Sequence, residues 1–146
     1  MLSLKINELQ KYNSTQLCEL FNILYKNLHI KLSNYKIIYA EIETYFKISL
    51  EYNKKCKSTL IRYLYPFATK EYILKLNKEK KNIFNGNINI FTFFKKIKKN
   101  TNTWSNIYKL WFQKISNKDK EYTYTLILNL FMISHIYGVK ENLCKC

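Results

Sequence analysis

The sequence predicts an all-α fold, a single-domain bundle of about five to seven helices, on three observations. Only two glycines and one proline occur in 146 residues. Sandwiches and barrels need turn residues at short, regular intervals, and βαβ units need glycine-rich connections. The apolar fraction of 47% supports a packed core and excludes a disordered chain. Apolar residues also recur three and four positions apart along most of the chain, which is the period of a helix with one buried side. At this length a single core is expected to bury roughly two-thirds of the surface that the unfolded chain exposes.

The elements follow in order. Asn13, with Gln16 three residues on, has the spacing of a capping box. Leu17, Leu20, Phe21 and Leu24 then continue at helical spacing to about Leu28. Ser33 is the next N-cap candidate, opening an amphipathic helix that carries Ile37, Ile38, Ala40, Ile42, Tyr45, Phe46 and Leu50 toward Lys54. Ser58 can cap a third helix, which Pro66 must kink or end because it has no N–H to donate. A fourth helix is expected from Thr69 to Lys80.

The clearest loop is Asn82–Asn89, with Asn85-Gly86 as its turn. Ile88 and Ile90 alternate and leave a short strand open, while Phe91, Phe93, Phe94 and Ile97 read as helix. Asn102 or Thr103 caps a helix bearing Trp104, Ile107, Tyr108, Trp111 and Phe112 on one side. Asn117 opens the last helix, whose end is expected at Gly138 in the C′ position. Its stretch from Tyr122 to Tyr137 is apolar nearly all round. That pattern marks a buried central helix, with a partner-binding or membrane role as the alternative. It is too short for a span, and Asn129, Ser134 and His135 interrupt it.

Charge is unevenly placed. The formal total is +15, with 24 lysines and a single arginine. Lys, Asn, Ile, Tyr and Phe all have AT-rich codons, so base composition inflates the lysine count, yet Asp and Glu share that bias and number only ten. Residues 1–50 carry a net +2, residues 51–69 +3 and residues 115–146 +1. Residues 70–114 hold eleven lysines against Glu71 and Glu79, a net +9.

Enzyme signatures are missing from this chain. It holds no glycine-rich phosphate loop of either common type. His29 and His135 read as structural residues, Asp119 as part of a helix start, and Glu41 and Glu43 are two apart and diverge on a helix. No catalytic residue, metal ligand or cofactor is assigned. Cys18 falls in an apolar helical pattern and reads as core. Cys144 and Cys146 offer two thiols where a structural zinc site needs four ligands, and Cys56 and His135 would complete it only by tertiary coincidence. A frayed tail with free thiols is the simpler reading. The same ending resembles the prenylated C-x-C terminus of Rab-type GTPases, whose other motifs are missing here. No signal-like apolar stretch opens the chain, so a soluble protein in a reducing intracellular compartment is expected. An organelle such as a mitochondrion or plastid, or a virus-infected cytoplasm, fits the composition.

One segment carries a family likeness. Glu8-Leu9-Gln10, then Gln16-Leu17 with Leu20, then Asn34 with Ile37-Ile38-Tyr39-Ala40 reproduce an opening, a helix start and a second helix at ungapped spacing. Residues 8–43 thereby resemble the small helical module at the amino end of transcription terminator Rho, which is related in shape to SAP domains. Phe21 and Tyr25 stand where that family has small residues, and Asn34 replaces a basic one. The resemblance covers about a quarter of the chain and implies a helical module that binds nucleic acid.

The basic segment points the same way. Lys78, Lys80 and Lys81 precede the Asn-rich loop, and Lys95, Lys96, Lys98 and Lys99 follow it. Lysine is a mobile point charge suited to phosphate, whereas guanine readout favours a bidentate arginine. With Arg62 the sole arginine, phosphate contact to RNA or single strands is expected in preference to sequence-specific duplex recognition. Trp104 and Tyr108 are candidates for base stacking. The expected function is therefore non-catalytic nucleic-acid binding, in a ribonucleoprotein such as an organellar ribosome. The alternative is a helical protein-interaction module, a viral or organellar assembly subunit whose basic face meets an acidic partner.

Overall fold

A computed structural model describes residues 6–34, 47, 50–78 and 116–143. All regular structure among these residues is helical, as the scarcity of glycine and proline requires. The elements are α1 (Ile6–Leu9), α2 (Ser14–Asn34), α3 (Thr59–Leu64), a 3-10 turn (Tyr65–Phe67), α4 (Lys70–Lys78) and α5 (Asn117–Lys140). A further helical stretch covers 50–55.

The capping box forms as the spacing dictates. Asn13 N–H donates to Gln16 Oε1 at 3.0 Å, and Gln16 N–H donates to Asn13 Oδ1 at 2.8 Å. Two of the amide groups that a helix start leaves without partners are thus satisfied. From there α2 buries Leu17, Phe21, Leu24, Tyr25 and Leu28, a stripe at 3.6-residue spacing. The helix does not stop near Leu28. It runs unbroken to Asn34, so Ser33 lies inside its last turn, and residues 35–46 of the helix expected to follow lie outside the described residues. No glycine or proline stands between Leu28 and Asn34 to end it. Phe21 and Tyr25, at the positions where the Rho module has small residues, are 2% and 1% exposed.

Ser58 holds the N-cap position of α3, yet its hydroxyl makes no cap bond. That duty falls to Asn53, whose Oδ1 accepts from Leu60 N–H at 3.2 Å. Pro66 ends α3 as expected, and the chain turns through Tyr65–Phe67. Thr69 then caps α4, its Oγ1 accepting from Tyr72 N–H at 3.1 Å.

Helix α5 is the centre of the molecule, buried from Thr123 to Gly138 apart from Thr125. Ser116 caps it, accepting from Asp119 N–H at 3.2 Å, and α1, α2, α3 and α4 all pack against it. A helix surrounded on every side needs an apolar circumference, and this one has it. Ser134, His135 and the Tyr124 hydroxyl meet carbonyls of neighbouring elements. Ser134 Oγ donates to Ile61 O at 2.8 Å, Tyr124 Oη donates to Leu76 O at 3.0 Å, and His135 Nδ1 lies 2.9 Å from Ala68 O. Among the described residues no helix is long and apolar enough to cross a membrane.

The end of α5 differs from the sequence expectation. Gly138 is helical and buried, and the helix continues to Lys140. A Cβ built on Gly138 would stand 2.1 Å from the Cδ1 and Cε1 atoms of Tyr65, so the glycine makes room for that ring. The left-handed C′ residue is Asn142, with φ 54°. Leu143 N–H reaches Gly138 O at 2.9 Å and Asn142 N–H reaches Val139 O at 3.2 Å. This is the Schellman pair of bonds, completed by the packing of Leu143 on the core.

Candidate nucleic-acid interface

Helix α4 brings the first part of the basic segment into view. Ile73 and Leu76 face the core, and Lys70, Lys75 and Lys78 are exposed. Lys75 and Lys78 occupy the last turn, where a cation favours the helix dipole. Among the described residues none of the three lysines makes an ion pair. The candidates Lys80, Lys81, Lys95, Lys96, Lys98, Lys99, Trp104 and Tyr108 lie outside the described residues, as do Cys144 and Cys146.

Arg62 is exposed but partly committed. Its Nε donates to Ser58 Oγ at 3.2 Å, and its guanidinium sits 5.6 Å from the centre of the Tyr137 ring. The side chain thereby ties α3 to α5, leaving its other N–H groups for an outside contact. Two lysines serve the fold in a similar way. Lys31 pairs with Asp119 at 2.8 Å and lies over the Tyr122 ring, while Lys140 Nζ donates to Gln10 O and Tyr12 O at 2.8 and 2.7 Å.

The structure assembles a second basic surface that the charge map does not show. A groove of about 770 Å³ between α2 on one side and Lys47 with residues 50–57 on the other is lined by Lys26, Lys47, Lys54 and Lys57, with Glu19 and Glu51 also on its walls. Three of these lysines fall within the eleven residues 47–57, and tertiary packing adds Lys26 from α2. Lys54 pairs with Glu51 at 2.9 Å. The two walls are fastened together: Asn53 Nδ2 donates to Asn22 Oδ1, and Asn22 Nδ2 donates to Lys57 O at 3.0 Å.

A separate pocket of about 460 Å³ is apolar. Ile73, Leu74, Ile136 and Val139 line it, with Lys70, Lys140, Gln10 and His135. Leu74 and Val139 are each 56% exposed.

The groups with nucleophilic or ligating chemistry stay dispersed. Cys18 is buried on α2, and its burial raises the thiol pKa. Cys56 is exposed and hydrogen-bonded to Ser58, which lowers its thiol pKa. His135 is engaged with Ala68 O. Among the described residues no three His, Cys, Asp or Glu side chains group as a metal site would require.

Comparison with protein-family models, with curated proteins and with solved structures finds no match to this chain.

Proposed function

We propose that this protein binds the phosphates of RNA or single-stranded nucleic acid through the lysines of residues 70–114, without catalysis. The observation that carries the reading is the net +9 in that segment, together with the outward placement of its three described lysines, Lys70, Lys75 and Lys78. An exposed ammonium without a carboxylate partner exchanges its counterions for a phosphate at little structural cost. The lysine-to-arginine imbalance favours contact with the backbone over reading of base edges. The likeness of residues 8–43 to the Rho amino-terminal module supports the same class of ligand. A place inside a larger ribonucleoprotein, such as an organellar ribosome, suits a small basic protein of this kind.

The test replaces Lys95, Lys96, Lys98 and Lys99 by glutamine and follows single-stranded RNA binding by fluorescence anisotropy. Each lost phosphate contact on a single strand removes about 0.7 from the slope of log affinity against log salt, so the slope should shrink by up to about three. The loss should be similar for every RNA sequence. An unchanged slope would reject the basic segment as the binding surface.

The apolar pocket beside Leu74 and Val139, with Lys70 and Lys140 among its lining residues, favours a second reading. In it the protein is an interaction module for an acidic, amphipathic partner. Leu74→Gln removes the apolar contact without adding charge beside Lys70 and Lys78, so it should weaken such an interaction and leave RNA binding unchanged.

A further inference from the structure

We propose that the groove between α2 and the wall formed by Lys47 and residues 50–57 is a second phosphate-contact surface, which seats a stretch of single-stranded nucleic-acid backbone. The proposal rests on the reading of this chain as a nucleic-acid-binding protein, but uses different residues. Lys26 comes from α2, and Lys47, Lys54 and Lys57 come from the opposite wall. Four lysines from two parts of the sequence thus line one recess. Glu51 neutralises Lys54. Lys26, Lys47 and Lys57 are exposed, and no described carboxylate pairs with them.

The recess is built, not accidental. The bonds Asn53 to Asn22, Asn22 to Lys57 O and Leu60 N–H to Asn53 join α2, the helical stretch 50–55 and the start of α3. Asn53 is only 8% exposed, so these amides hold the walls and fix the separation of the lysines in advance. Binding to such a preset array loses less conformational freedom than binding to lysines on a loop.

The lining also selects the form of nucleic acid. Ile23, 57% exposed, and the half-buried Leu50 place apolar surface beside the charges. An unpaired nucleotide has both parts to match: phosphates for the lysines, and a sugar edge and base face for the apolar side chains. A duplex keeps its base faces stacked inside and offers a concave recess only its backbone. Glu19, which also lines the groove, opposes the ligand and gives the proposal a test of opposite sign.

The experiment measures binding of fluorescein-labelled oligouridylate by anisotropy across a salt series. It uses the full chain, the Lys26→Gln/Lys47→Gln/Lys57→Gln variant, Glu19→Gln, and the four-lysine variant at Lys95, Lys96, Lys98 and Lys99. All substituted groove positions are exposed, so melting temperatures should match the parent and folding is checked by circular dichroism. The groove variant should lose up to about two from the salt slope, at roughly 0.7 per contact, and Glu19→Gln should bind more tightly at low salt. A folded groove variant with the parental slope overturns the groove, and Glu19→Gln binding no tighter than the parent counts against it. If only the four-lysine variant loses binding, the groove fails and the basic-segment reading stands. If only the groove variant loses it, the groove stands and the basic segment fails. A parent chain that does not bind at low salt removes both.

Discussion

Replacing Gly138 by alanine tests the packing of the central helix where sequence and structure differ most. In an ordinary helix interior the change stabilises by about 1 kcal/mol, because glycine has more backbone freedom to lose on folding. Here the new methyl would meet the Tyr65 ring at 2.1 Å, with a third ring carbon at 2.5 Å. Tyr65 is 4% exposed and follows directly on α3, with Pro66 next in the chain. The ring has little space to retreat. Overpacking of this kind costs roughly 1–3 kcal/mol, so the net loss should be up to about 2 kcal/mol after the gain in helix propensity. Urea unfolding of the single and double variants measures it. In a Tyr65→Ala background the same Gly138→Ala change should become neutral or stabilising. A cost that persists without the Tyr65 ring would refute the steric explanation and return Gly138 to the role of a C-terminal glycine.

Three further outcomes follow from the same packing. Leu130→Asp places a carboxylate at a 5% exposed site on α5 and should abolish cooperative unfolding in urea, since an unpaired buried charge costs several kcal/mol. Asn53→Ala leaves the buried Leu60 N–H without its acceptor and should lower stability by about 1–3 kcal/mol with helix content unchanged by circular dichroism. Burial holds the Tyr72 phenol neutral and raises its pKa from 10.0 to about 12. Its stabilising share is therefore complete below pH 10 and is lost as pH rises toward 12, because the unfolded chain ionises first. Tyr72→Phe keeps the ring against Phe131, whose centre is 4.9 Å away, and should make the loss of melting temperature over that interval shallower.

Local signals were the legible ones. The Asn13–Gln16 box, the stop at Pro66, the start of α4 and the burial of α5 each depend on residues within one or two turns of each other, and each is found in the structure. The end of α2 was not legible, because Ser33 has the chemistry of a cap but nothing before it breaks the helix. Gly138 misled for a related reason: glycine is equally suited to a left-handed turn and to a close approach, and only the position of Tyr65 separates the two. Asn53 reaches across seven residues to cap α3, while the nearer Ser58 engages Arg62 and Cys56. For the interface, Lys78 and Arg62 are exposed, and the restraint of Arg62 by Tyr137 comes from tertiary contact that the sequence does not show. The groove was not legible because Lys26 stands 21 positions before Lys47 and joins Lys47, Lys54 and Lys57 only through the packing of α2.

Lysine–phosphate contact is what we propose binds nucleic acid in this protein. The measurement that bears on it most directly is the affinity of the unmodified protein for two unrelated single-stranded RNAs, titrated from low to high salt. Phosphate contact predicts a steep, linear fall of log affinity with log salt, near 0.7 per contact, and nearly the same line for both sequences. Absence of binding at low salt, or an affinity that salt leaves unchanged, would contradict it.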